Sequence, residues 1–170
     1  MANEAKISFT VNVLGEVQFN RALAGRLANI DDLSPAFERV AAIVLEGERA
    51  AFAAQGGYQN NPNWPELSPA YKKWKDAHYP GKGILERTGA LRTMMEGGPG
   101  MTRRISRHEM ELRFGGIRVG SYDLAALHQT GTTRMPARKP LLLSRIQQGE
   151  IIRALAKHIN QEKQGLGARG

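Results

Sequence analysis

"MTRRISRHEMELRFGGIRVGS" (Met101–Ser121) is the stretch on which the fold turns. In its middle Met110, Leu112 and Phe114 alternate with Glu109, Glu111 and Arg113, and a side-chain period of two belongs to a strand with one buried and one wetted face. Ile117 and Val119 resume the pattern after Gly115-Gly116, so the segment predicts two or three antiparallel strands joined by tight turns. The same alternation returns far upstream in "KISFTVNVL" (residues 6–14), where Ile7, Phe9, Val11 and Val13 face one way and Ser8, Thr10 and Asn12 the other.

Between these strands the period changes to that of a helix. Phe19, Leu23, Leu27 and Ile30 step by three or four residues, with Asp31-Asp32 expected to end that helix. Ser34-Pro35 reads as an N-cap followed by proline in the first turn, and Phe37, Val40, Ala41, Val44, Leu45 and Phe52 form the apolar stripe of a core helix reaching Gln55. Gly47 inside it points to a close crossing with another element. After the polar loop "GGYQNNPN" (56–63), Ser68-Pro69 repeats the cap signal and predicts a short helix from Pro69 to His78, ended by Pro80-Gly81. "ILERTGALRTMM" (84–95) is broken by Thr88-Gly89, with Thr88 as the expected cap of a fresh start.

Downstream of the strands, residues 122–129 predict a short helix ending near Gly131, and Leu141–Ile159 a long one with Leu142, Ile146, Ile151, Ile152, Leu155 and Ile159 on a broad apolar face. The resulting order predicts an α+β domain over residues 1–163, a small, mainly antiparallel sheet packed on one face by helices, with residues 164–170 as a flexible tail.

Composition removes several function classes. Apolar residues at 41% and charged residues at 24% are ordinary for a folded globular chain. The absence of cysteine excludes disulfides, thiolate metal sites and cysteine nucleophiles. No run approaches the roughly 20 apolar residues of a membrane span, and the amino terminus has no leader pattern, so a cytosolic site of synthesis and no membrane partner are expected. The formal charge of +8 is uneven: residues 1–60 carry 5 basic and 7 acidic side chains, whereas residues 61–170 carry 19 and 9. A field of this kind favours polyanions or an acidic protein partner.

Catalytic patterns are missing. No phosphate-cradling glycine motif follows a predicted strand, and the histidines at 78, 108, 128 and 158 lie on separate elements without metal-ligand spacing. His128 has no serine-nucleophile motif to activate, which favours a hydrogen-bonded structural role; no catalytic residue, cofactor or metal is expected. Arg103, Arg104, Arg107, Arg113 and Arg118 on the strands, with Arg134, Arg138 and Lys139 in the loop "HQTGTTRMPARKP" (128–140), keep a phosphate-binding stripe open as an alternative. Trp64 and Trp74 fit either an apolar cluster beneath the long loop or a stacking platform for bases.

Four separated blocks carry a resemblance: Trp64 with "LSPAYKKWK" (67–75), "ILERTGALR" (84–92), "VGSYDLAALHQTGT" (119–132) and "MPARKPLLLS" (135–144). In this order they resemble the virion morphogenesis (tail completion) family of tailed bacteriophages, as found in Mu-like phages, with Trp64, Leu67, Thr88, Gly89, Leu91 and Arg92 among the matching positions. Two positions depart: the family's tyrosine before Ala-x-x-His-Gln is absent, and Lys139 separates Arg138 from Pro140. The resemblance implies a tail-terminator or neck-protein-like fold and a non-enzymatic virion protein, assembled in the bacterial host cytoplasm. It implies a homo-hexameric ring at the head-proximal end of the tail, touching tail-tube and neck or connector proteins, with non-specific contact to genomic DNA in the lumen. In such a ring His128 and Gln129 are expected to fix the approach to the loop by hydrogen bonds. Arg134, Arg138 and Lys139 would then meet carboxylates of a neighbour, with Asp31, Asp32, Glu38, Glu46 and Glu48 as candidate acceptors.

Overall fold

The structure, a computed structural model, describes residues 7–12 and 32–166. β1 (Ile7–Asn12), β2 (Met101–Ile105) and β3 (Glu109–Phe114) form an antiparallel sheet in the order β1-β3-β2. The alternation in β3 places Met110, Leu112 and Phe114 in the core, all fully buried. The register sets Val11, Phe9 and Ile7 opposite these three residues. The helix expected over residues 19–30 lies outside the described residues.

α1 (Ser34–Ala53) is the helix on which the sheet rests, burying Phe37, Val40, Ala41, Val44 and Phe52. It packs on β3 and β2 through one face of the sheet and on α5 (Arg145–Leu166) at its other flank. Its start differs from the expected Ser34 cap. Leu33 occupies the N-cap, and the Asp32 carboxylate accepts a 2.8 Å hydrogen bond from the Ser34 N–H. Hydrogen bonding to Ser34, through its side chain first and its backbone N–H second, holds the Asp32 carboxyl below its usual range. The Leu33 N–H donates to Arg107 O at 2.8 Å, anchoring the start of α1 to the β2–β3 turn.

α2 (Pro69–His78) begins as expected, with Ser68 Oγ accepting from Tyr71 N. In the Thr88-Gly89 break the cap of α3 (Ala90–Met95) is Gly89 in the left-handed region, while Thr88 Oγ1 accepts from Ala90 N at 3.4 Å. Leu91, Met94 and Met95 of α3 complete the core against α1. β4 (Arg118–Val119) and β5 (Tyr122–Asp123) make a second, two-stranded sheet that leads into α4 (Leu124–Thr130). Asp123 caps α4, its Oδ1 accepting from Ala125 N and Ala126 N and its Oδ2 from Gly116 N.

The last helix starts later than its apolar pattern suggests, at Arg145 rather than Leu141. Pro140 lies just upstream, and Ser144 and Gln147 close a reciprocal capping box: Gln147 N donates to Ser144 Oγ and Ser144 N donates to Gln147 Oε1. The helix continues to Leu166, so residues 164–166 are helical where a frayed tail was expected. The architecture is α+β, with its main sheet antiparallel and covered by α1. No helix of the described residues is long and apolar enough to cross a membrane.

Candidate functional site

The sequence blocks 67–75, 84–92, 119–132 and 135–144 come together around one cleft of about 660 Å³. α2 forms one wall with Ser68, Tyr71 and Lys75, and the segment before α3 supplies Leu85, Arg87 and Thr88. The far wall is α4 and the loop after it, through Leu127, His128, Met135 and Arg138. Leu67 and Leu91 also line the cleft, so conserving its shape requires residues from all four blocks.

The loop 131–140 is folded against α4 rather than extended. Thr132 and Met135 pair through two backbone hydrogen bonds, and Arg138 N donates to His128 O at 2.8 Å. Gly131 has φ +73°, and a Cβ there would stand 2.6 Å from Ala137 N, so both backbone angle and crowding require glycine. Gln129 clamps the far end of the loop: its Nε2 donates to Leu141 O at 3.0 Å, and its Oε1 accepts from Leu141 N at 3.2 Å.

His128 differs from the expectation. Its backbone carbonyl, not its ring, holds the loop, and the ring Nδ1 is buried without a partner. Burial, with the nearby Arg138 cation, pushes its imidazole down to about 4, so it is neutral at pH 7.

Arg138 departs furthest from its expected role as a grip on a neighbour. It is only 5% exposed and turns inward, Nε donating to Pro65 O and Nη2 to Glu66 O, both at 2.7 Å. A planar fork suits two adjacent carbonyls, which a lysine could not reach in the same way. Arg134 stays exposed at the cleft lip, and Lys139 is exposed while its carbonyl accepts the Trp64 indole N–H at 3.0 Å. Trp64 itself is buried edge-on against Phe52, whereas Trp74 is 41% exposed in a stack with Tyr71 and His78. The two tryptophans therefore belong to different environments. Arg92 bridges Glu86 and Glu96 on its own segment.

Lys75 closes the 67–75 block, but nothing in the sequence marks it for burial. It is 2% exposed, and its ammonium donates to Lys82 O at 2.7 Å and to Gly83 O, tying α2 to the next loop. Burial lowers its pKa. Two further caps have legible sequence patterns: Asp123 before "LAAL", and Ser144-x-x-Gln147. Among the candidate acceptors, Glu38 pairs with Arg103 and Glu48 is buried with a hydrogen bond from the Leu142 backbone, while Asp31 lies outside the described residues. No group of three or more His, Asp or Glu side chains able to hold a metal occurs among the described residues. No family model matches the chain, and neither a curated protein nor a solved structure shows significant similarity to it.

Proposed function

We propose that this chain is a structural virion protein of a tailed bacteriophage, acting in tail completion and head–tail joining as a homo-oligomeric ring in the neck or at the head-proximal end of the tail. The observation that carries the reading is that residues of all four blocks, from Leu67 to Arg138, line one cleft. Motifs kept together by a packed wall, a buried arginine brace and a glutamine clamp read as one recognition surface. That surface has exposed cations at its lip and apolar side chains within. A ring closes through two different complementary patches on each subunit, and a concave, basic surface supplies one of them.

Arg138→Glu would not test this, because it would break the fold. Arg134→Glu changes the lip alone. Electron microscopy of particles made with Arg134→Glu is expected to show full heads separated from tails, or tails of irregular length. Normal tailed, infectious particles from a chain-deletion phage would overturn the proposal.

A genome-binding module is the second reading, supported by the exposed Thr102–Arg104 segment of β2. It is weaker because Arg103 pairs with Glu38 and Arg113 with Glu111, which neutralises part of the stripe. Duplex DNA affinity falling steeply with salt would favour it.

A further inference from the structure

We propose that the cleft between α2 and α4 receives a carboxylate carried on an apolar polypeptide segment of a partner protein. Two cations line this cleft while almost withdrawn from water: Lys75 at 2% and Arg138 at 5% exposure. Among the described residues their hydrogen-bond partners are backbone carbonyls, and neither forms an ion pair. Carbonyl dipoles orient a cation without cancelling its charge. Glu86 and Asp76 favour the Lys75 charge and Glu66 that of Arg138 without pairing with them. A buried charge without a paired counter-ion is costly, so the arrangement suits a counter-ion that arrives with a ligand. Donors remain for it: two of the three ammonium protons and two of the five guanidinium N–H groups are engaged by those carbonyls.

The surroundings extend the same bias. Arg87 and Arg134 stand exposed at the lip, and among the described residues Glu66 is the one acidic residue lining the cleft. The interior is built from Leu67, Leu85, Leu91, Leu127 and Met135. A cleft of about 660 Å³ lies in the range that holds a few residues of peptide.

Continuity of the apolar surface beyond the cleft selects a polypeptide over a free amphiphile. On one side Val119 lines the cleft and pairs with Tyr122, which is 63% exposed. On the other, Tyr71 lines the cleft and stacks on the exposed Trp74. Apolar side chains thus lead out of the cleft in two directions, as a chain passing through it would need. The inference deepens the assembly reading by giving the partner's chemistry. Binding is read on the isolated chain and assembly on particles, so either can fail alone.

The test is fluorescence anisotropy of the full chain with a labelled octapeptide alternating leucine and glutamate, its glutamine counterpart, and competition by laurate. The glutamate peptide is expected to bind at least about tenfold more tightly than the glutamine peptide. Arg87→Glu combined with Arg134→Glu should weaken it by about tenfold or more, with an unchanged melting curve, whereas Arg104→Glu on β2 should not. Equal binding of both peptides overturns the carboxylate. Equal loss in Arg104→Glu reduces the effect to the general field and overturns the site, as does the absence of binding. Laurate binding without peptide binding overturns the polypeptide occupant.

Discussion

The guanidinium of Arg138 holds two carbonyls from a segment 72 and 73 residues earlier in the chain. Hydrogen bonds to a charged group contribute about 1.5–3 kcal/mol each, so Arg138→Ala is expected to lower unfolding stability by roughly 2–4 kcal/mol. Arg138→Lys should recover less than half of this, because an ammonium cannot serve both carbonyls in the same plane. Urea titration of the two variants checks both values. Glu48 presents the opposite case of a buried acid: burial pushes its carboxyl up from 4.5 to about 8, against a smaller opposing effect of the Leu142 backbone hydrogen bond. The folded chain therefore keeps a proton that the unfolded chain releases. This site's contribution is intact below about pH 4.5, falls by on the order of 1 kcal/mol per pH unit above it, and levels off near pH 8. Glu48→Gln is expected to raise the melting temperature at pH 8 and leave it nearly unchanged at pH 4.5. An unaltered pH slope in that variant would assign the dependence to other groups.

At the scale of elements, α1 and α5 meet where Gly47 lies under the Gln147 side chain, and a Cβ at position 47 would collide with its amide. The amide cannot simply swing away, since its oxygen caps Ser144 N. Gly47→Ala is expected to cost about 1–3 kcal/mol despite alanine's better helix propensity, and Gln147→Ala added to it should cost less than the sum. Strict additivity in this cycle would show that the two residues do not meet. The glycine's close crossing was legible from its place in an apolar stripe, as was β3 from its alternation and α2 from Ser68-Pro69. α5 starts later than its apolar pattern predicts because Leu141, Leu142 and Leu143 continue that pattern through residues that Pro140 and the Ser144 cap hold outside the helix. The inward turn of Arg138 and Lys75 was not legible at all. Arg138 meets carbonyls brought near by tertiary packing and Lys75 those of the loop that turns back onto α2, and a cation in a turn or helix carries no local sign of either. The cleft was visible in the sequence only as separated blocks; their convergence depends on the same packing.

For the molecule as a whole, charge is the long-range property, with a formal +8 concentrated after residue 60. Screening shortens its reach from about 10 Å at 0.1 M salt to about 3 Å at 1 M, so capture of an acidic partner should slow markedly over that range while the melting temperature changes little. Stopped-flow association measured against salt tests this, and a flat profile would deny the field any part in recognition. The sheet adds a different constraint, because among the described residues β2 is an edge strand whose exposed Thr102, Arg103 and Arg104 occupy its centre. Two copies laid margin to margin would set their Arg104 cations, and Arg103 cations only partly offset by Glu38, against one another before their backbones could zip together. The selvedge of this fabric is thus self-repelling, which discourages copies from stitching into an endless ribbon.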